Sequence, residues 1–162
     1  FGLAQGFPGK FIGALYKDHN GLLWIGGREG LFCYDGEHLQ TFIAGSATFP
    51  PISGIVEDKA GNIWFVQAGS TNIGVIDRHN GIVSYSNRIW GVKNNISKMT
   101  LDEKGNIWLY NANDKSISII DSIVRTYKEI NNKTSLADSK AFQVLEDNTK
   151  DIWTTQITGG VC

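Results

Sequence analysis

The chain has 162 residues, 41% of them hydrophobic and 19% charged, with a formal net charge of −1. That balance belongs to a globular chain long enough for a real core and excludes a disordered tail. Near-neutral charge gives no reason to expect a nucleic-acid or anionic-membrane partner, and no apolar run approaches the length of a membrane span.

Nineteen glycines suit a turn-rich β protein better than a helical one. The sequence opens at Phe1 with no Met and no basic-then-apolar leader, and stops at Cys162 just after two glycines, where a strand should begin. The expectation is a segment of a longer protein. Cys33 and Cys162 are too far apart to make a disulfide framework, and no zinc-type spacing exists. Cys33, in "LFCYD", reads as a small buried hydrophobe.

In chain order, the first unit opens with the alternating stretch "FIGALYKD" and turns at "DHNG". It continues through the tryptophan strand "GLLWI" and the loop "GGREG", then the strands "LFCYD" and "LQTFI". The second repeats this as "ISGIVEDK", "GNIWF", "QAGSTN", "IGVID" and "IVSYS". The third reads "ISKMTLDE", "GNIWL", "NANDKS", "ISIID" and "VRTYK". The fourth has "AFQVLEDN", "KDIWT" and "QITGG", and then ends. Trp24, Trp64, Trp108 and Trp153 fall at steps of 40, 44 and 45 residues, the range of four-stranded propeller blades.

The turns "DHNG", "DKAG" and "DEKG" place Asp first, where it accepts from the backbone two residues on, and Gly fourth, where positive φ is tolerated. That is hairpin chemistry for antiparallel strands. The fourth copy keeps Asp147 but has Lys150 in place of Gly, which predicts a looser or different turn. Helical periodicity is absent, the short "SLADSKAF" aside. The prediction is an all-β propeller segment of about four blades at 11–43, 52–86, 96–130 and 141–162, each a four-stranded antiparallel meander, the last incomplete.

A lone meander cannot bury both faces; radial stacking lets each sheet cover the next. Trp24, Trp64, Trp108 and Trp153 are therefore expected between blades. Four units do not comfortably close a ring, so the end faces call for cover by further blades of a parent chain or by a second copy.

"D-x-x-G-x-[LI]-W-[IF]" followed by "G-x-x-G-L-x-x-Y-D" resembles the two-component regulator propeller repeat. "DHNGLLWIGGREGLFCYDGEHLQTF" is the nearest copy, and the likeness weakens in unit 4. The resemblance implies a piece of the periplasmic sensor of a Bacteroides-type hybrid two-component system. Such proteins carry many repeats, a membrane helix, a histidine kinase and often a response regulator, and many sense oligosaccharides to control polysaccharide utilisation. Unit 2, with "GNIWF" and "IGVID", is similar instead to the streptogramin B lyase propellers, which are metal-assisted enzymes. A structural protein-interaction propeller is the third reading, because the fold alone does not choose among them.

Meander geometry puts the A–B and C–D turns on one rim and the variable B–C and D–A loops on the other. Binding is expected on the variable rim. Its B–C loops offer Arg28, Glu29, Gln67, Asn72, Asn111, Asn113, Asp114 and Gln156. Its D–A loops offer Phe49, Arg88, Trp90 and Lys93. Trp90, the one tryptophan outside the repeat, would stack on a sugar ring while Arg28, Glu29, Gln67, Asn111, Asn113, Asp114 and Arg88 met its hydroxyls. No catalytic residue, metal ligand or cofactor is expected. His19 and His38 show no partner in sequence, His79 lies in a C–D turn on the other rim, and the regular phase of Asp18, Asp58, Asp102 and Asp147 reads as turn capping.

Overall fold

A computed structural model of the chain describes residues 6–8, 11–45, 50–85, 95–111, 116–121, 126–130, 143–149, 151–156 and 160–161. Among these the regular structure is all strand. β1 (Ile12–Lys17), β2 (Leu23–Gly27), β3 (Gly30–Tyr34) and β4 (Leu39–Ala44) pair in chain order as one antiparallel meander. β5 (Ile52–Glu57), β6 (Ile63–Gln67), β7 (Ile73–Asp77) and β8 (Ile82–Tyr85) repeat it, as do β9 (Ile96–Leu101), β10 (Asn106–Asn111), β11 (Ser116–Asp121) and β12 (Thr126–Ile130). β13 (Gln143–Glu146), β14 (Ile152–Gln156) and β15 (Gly160–Val161) form a three-stranded fourth sheet. The chain is a propeller segment of four blades, the last incomplete.

Each hairpin is fixed by its aspartate. Asp18 Oδ1 accepts from the N–H groups of Asn20 (3.0 Å) and Leu22 (2.9 Å), while Oδ2 accepts from the Trp24 indole at 2.9 Å. Asp58 holds Ala60, Asn62 and Trp64 in the same way, and Asp102 holds Asn106 and Trp108. In the fourth turn the aspartate keeps the same acceptor roles, while Lys150, on which the expectation of a looser or different turn rested, lies outside the described residues. Asp147 accepts from Thr149 N (2.9 Å), Asp151 N (3.0 Å) and the Trp153 indole (2.6 Å). The Thr149 hydroxyl lies 2.7 Å from Asp147 and 2.9 Å from Asp151, reinforcing the turn from within. In the first three turns the glycine has φ of +85°, +83° and +91° (Gly21, Gly61, Gly105), a conformation that costs other residues energy.

The core lies between sheets. Trp24, Leu31 and Cys33 of blade 1 pack against Ile52, Ile55, Ile63, Phe65 and Ile76 of blade 2. Trp64, Val66, Ile73 and Val75 of blade 2 then pack against Ile96, Ile107, Leu109 and Ile120 of blade 3. The first strands lie side by side, β1 against β5 and β5 against β9. Gly26 permits that approach: a Cβ there would sit 2.5 Å from Ile52 Cγ2 and 3.1 Å from Ile55 Cδ1. Burial pushes the Cys33 thiol up to about 11, so it behaves as a hydrophobe. Trp108 is buried too, whereas the Trp153 ring stands half exposed on the last sheet.

Trp64→Ala is expected to lower the unfolding free energy by roughly 3–5 kcal/mol, the range for truncating a buried tryptophan. Trp153→Ala should cost clearly less. Urea unfolding followed by far-UV circular dichroism would measure both, and equal losses would contradict the buried-seam assignment.

Candidate functional site

The two rims differ. On the loop rim, Glu29 in the β2–β3 turn accepts Gly45 N–H on its main-chain oxygen at 2.7 Å, and Ala68 N donates to Pro51 O at 2.8 Å. Ile96 N donates to Ser70 O, also at 2.8 Å, so the β6–β7 loop of blade 2 is tied to the first strand of blade 3. B–C loops and the D–A connections therefore share one rim. On it Arg28 is exposed, Glu29 is partly buried and Gln67 is buried at the end of β6. Asn111 closes β10, opposite Ile96 and Ser116. Trp90, Arg88, Asn113 and Asp114 lie outside the described residues, as do Phe49 and Lys93.

Glu29 carries the notable atom. Its Oε2 is shielded from water and has no hydrogen-bond partner among the described residues. Ser53 Oγ, at the bulge of β5, is in the same condition. Buried polar atoms are nearly always paired, and an unpaired one costs about 1–3 kcal/mol, more when charged. A ligand hydroxyl or N–H would supply the missing donor.

The turn rim holds a denser set of charges at the seam of blades 1 and 2. His19, Asn20, Ala60, Gly61, Arg78 and His79 line an open cleft of about 320 Å³. Arg78 reaches across from the β7–β8 turn: its Nη1 donates to Asp18 Oδ2 at 2.7 Å, and its guanidinium lies 5.8 Å from the Trp24 ring centroid. Beside it the His19 main-chain N–H donates to Glu57 Oε2 at 2.8 Å, and the ring Nδ1 pairs with Glu57 Oε1. His19 is thus partnered, contrary to the sequence expectation, because the partner stands 38 residues away on the next blade. His38 and His79 lie 3.6 and 3.9 Å from Asp35 and Asp77 of their own turns.

Arg78 answers a deficit. In units 2 and 3 the same carboxylate oxygen also receives a side-chain amide, from Asn62 (3.0 Å) and Asn106 (2.8 Å). Unit 1 has Leu22 at that position, and the neighbouring blade's guanidinium takes the amide's place. Burial of Asp18 opposes its ionisation, but Trp24, Leu22 N–H and Arg78 more than offset this and hold its pKa below the ordinary value. Asp102 is lowered in the same way, burial being outweighed by Trp108 and Asn106. Asp147 falls to about 2, chiefly through the Trp153 indole and Thr149.

This rim is therefore satisfied by its own bonds, and its chemistry is that of a clamp. Among the described residues no group of three or more His, Cys, Asp or Glu is placed to hold a metal ion. Nor is any described helix long and apolar enough to cross a membrane. The Asp–Trp bond and the Arg78 bridge were missed by sequence reasoning. The constant six-residue step from Asp to Trp was the available signal for the first; the second left none.

The two-component regulator propeller family matches residues 6–29, the first blade's entry strand, turn and tryptophan strand. No curated protein matches the chain. Among solved structures it is similar to virginiamycin B lyase from Staphylococcus aureus, in a catalytically inactive form with quinupristin, at 16% identity and a TM-score of 0.72. That alignment covers 96% of this chain and 56% of the lyase. It is similar to the extracellular domain of a proposed one-component system from B. thetaiotaomicron at 15% identity and TM-score 0.72, over 97% of this chain and 22% of the other. A third likeness is to the extracellular domain of a proposed hybrid two-component system from the same organism, at 19% identity and TM-score 0.68, over 89% and 20%. The chain thus spans about half of the lyase and about a fifth of the two extracellular domains, and at these identities the shared property is the propeller fold.

Arg78→Ala is expected to cost about 3 kcal/mol, the low end for stranding one partner of a buried ion pair. In a Leu22→Asn background the cost should shrink by about 1 kcal/mol, since a local amide then serves Asp18. A double-mutant cycle by urea unfolding reads the coupling, and strict additivity would refute it. The lowered aspartates also set an acid limit. Folded carboxylates with pKa below the unfolded value bind fewer protons than the unfolded chain as pH falls. Their contribution is complete above about pH 4, the unfolded value, and lost progressively from there toward the folded values, near 2 for Asp147. Urea midpoints measured from pH 6 to 2.5 should fall below pH 4, and Asp102→Asn should flatten that fall.

Proposed function

We propose that this propeller arc, which carries a two-component regulator propeller repeat at residues 6–29, is part of the extracytoplasmic sensor of a hybrid two-component system. The repeat match carries the reading, and the similarity to the extracellular domains of two B. thetaiotaomicron one- and two-component systems supports it. In this reading the parent is a membrane-anchored histidine kinase with its sensor in the periplasm, and the segment itself does no chemistry.

The ligand is an oligosaccharide bound on the loop rim. Glu29 supports that placement, because its enclosed Oε2, without a partner among the described residues, would accept from a sugar hydroxyl. Arg28, Gln67 and Asn111 stand on the same rim, and Arg88, Asn113 and Asp114, outside the described residues, are assigned to its loops from the sequence alone. Trp90 would provide the flat apolar face that sugar rings stack on. Binding there would bias how the blades pack, and so whatever lies beyond them in the parent.

A lyase-type propeller is the second reading, supported by the likeness to the S. aureus enzyme over nearly the whole chain. It requires a histidine and a metal on one rim, and unit 1 with its family match favours the sensor.

Calorimetric titration with panels of neutral and acidic oligosaccharides tests the proposal. A saccharide should bind, and Glu29→Gln and Trp90→Ala should each weaken it about tenfold or more, the loss of one good polar or stacking contact. Binding indifferent to both substitutions would remove the site. Turnover of a streptogramin by the chain would replace the sensor reading with the lyase.

A further inference from the structure

We propose that the turn-rim cleft between blades 1 and 2 binds an oxyanion, the carboxylate or sulfate group of a small ligand.

The carboxylates around this cleft are already spent. Asp18 accepts from Asn20 N, Leu22 N, the Trp24 indole and Arg78. Asp58 accepts from Ala60 N, from the main-chain and side-chain nitrogens of Asn62, and from the Trp64 indole. Glu57 holds the main-chain N–H and the ring of His19. All three are buried. Asp77 is the exposed carboxylate of the set, and it accepts from His79 N and from Asn80.

The donors are not spent. A guanidinium carries several N–H groups, and among the described residues that of Arg78 bonds only to Asp18, through Nη1. Its side chain stays 23% exposed. Asn20 engages its main-chain N–H in the turn and leaves its side-chain amide over. The His79 ring stands 3.9 Å from Asp77, beyond hydrogen-bond reach, and is largely exposed. These three side chains and His19 surround the cleft of about 320 Å³, with Ala60 and Gly61 as its small-residue wall. A second cleft of about 300 Å³ shares His19 and that wall, and reaches Lys59.

A cleft with donors to spare and its acceptors occupied takes a ligand made of acceptors. Arg78 is held at one Nη by Asp18 and lies over the Trp24 ring, so its other N–H groups are presented in a fixed plane. Carboxylate and sulfate oxygens match such a fork, and the volume suits a small molecule. The site is built by residues between His19 and His79 and is complete whatever precedes or follows them in a parent chain. It is also independent of what the loop rim takes.

Titration of the whole chain with sodium sulfate, at an ionic strength held constant with sodium chloride, tests this by proton–nitrogen NMR. The Arg78 Nε–H, Asn20 amide and Trp24 indole signals should shift together and saturate, with a Kd on the order of 1 mM. Arg78→Ala would weaken the seam itself, so two exposed positions carry the test. Ala60→Glu puts a like charge into the cleft and should weaken binding about tenfold or more, with circular dichroism unchanged. His79→Ala should weaken it as well. Glucuronate and a sulfated monosaccharide separate the sources of the oxyanion. Saturation well below the inorganic sulfate range identifies an acid group carried on a sugar; saturation in the same range identifies the free anion. The absence of any saturable shift would overturn the proposal. So would shifts spread evenly over basic side chains elsewhere on the surface, or an affinity that Ala60→Glu leaves unchanged.

Discussion

One hydrogen bond per blade organises the rest of this molecule: the indole N–H of the second-strand tryptophan donated to the aspartate that caps the preceding turn. It occurs four times, at 2.6–2.9 Å, always six residues apart. The aspartate has two oxygens and divides them. Oδ1 takes the turn's main-chain N–H groups and closes the hairpin, while Oδ2 takes the indole and fixes the ring against the sheet. A large apolar ring is thereby presented in one orientation to the next blade, without an unpaired donor being buried with it. Hairpin closure and blade stacking are two consequences of one carboxylate.

That economy creates a demand, and the blades meet it differently. Oδ2 of a buried carboxylate needs more than one donor. Blades 2 and 3 supply the second from an asparagine on the same turn, and the end blade reinforces its turn with a threonine hydroxyl. Blade 1 supplies it from its neighbour, through Arg78, which also lies over the tryptophan it helps to hold. The seam between blades 1 and 2 is thus clamped by an ion pair, a cation–π contact and the His19–Glu57 pair on the turn rim, in addition to its apolar packing. At that seam an apolar interior and a charged rim act together.

The two rims then divide the labour. The turn rim spends its polar groups on one another. The loop rim is tied mainly by main-chain bonds and, among the described residues, leaves a carboxylate oxygen and a hydroxyl enclosed without a partner. The proposed sensor reading rests on that contrast between the rims, since a polar group without a partner beside loops is where a hydroxylated ligand would be recognised.

The fold was legible because it is local and repeated. Asp at the start of each turn, Gly at its fourth position and a tryptophan six residues after the Asp are read from a window of ten residues, and each fixes a hairpin without help from distant chain. The site was less legible. Sequence placed Arg28, Glu29 and Gln67 on one rim, but nothing in "GGREG" shows that one oxygen of Glu29 is enclosed without a donor. Nor does "DRHNG" show that its arginine serves an aspartate 60 residues earlier. Those facts depend on how neighbouring blades approach, and pairwise geometry across a seam leaves no periodic trace. The sequence by itself determined the meander, its turns and its stacking, because short-range backbone chemistry decides them. Only the tertiary structure decided which polar groups are shared between blades and which, among the described residues, are enclosed without a partner, because those depend on what each surface meets.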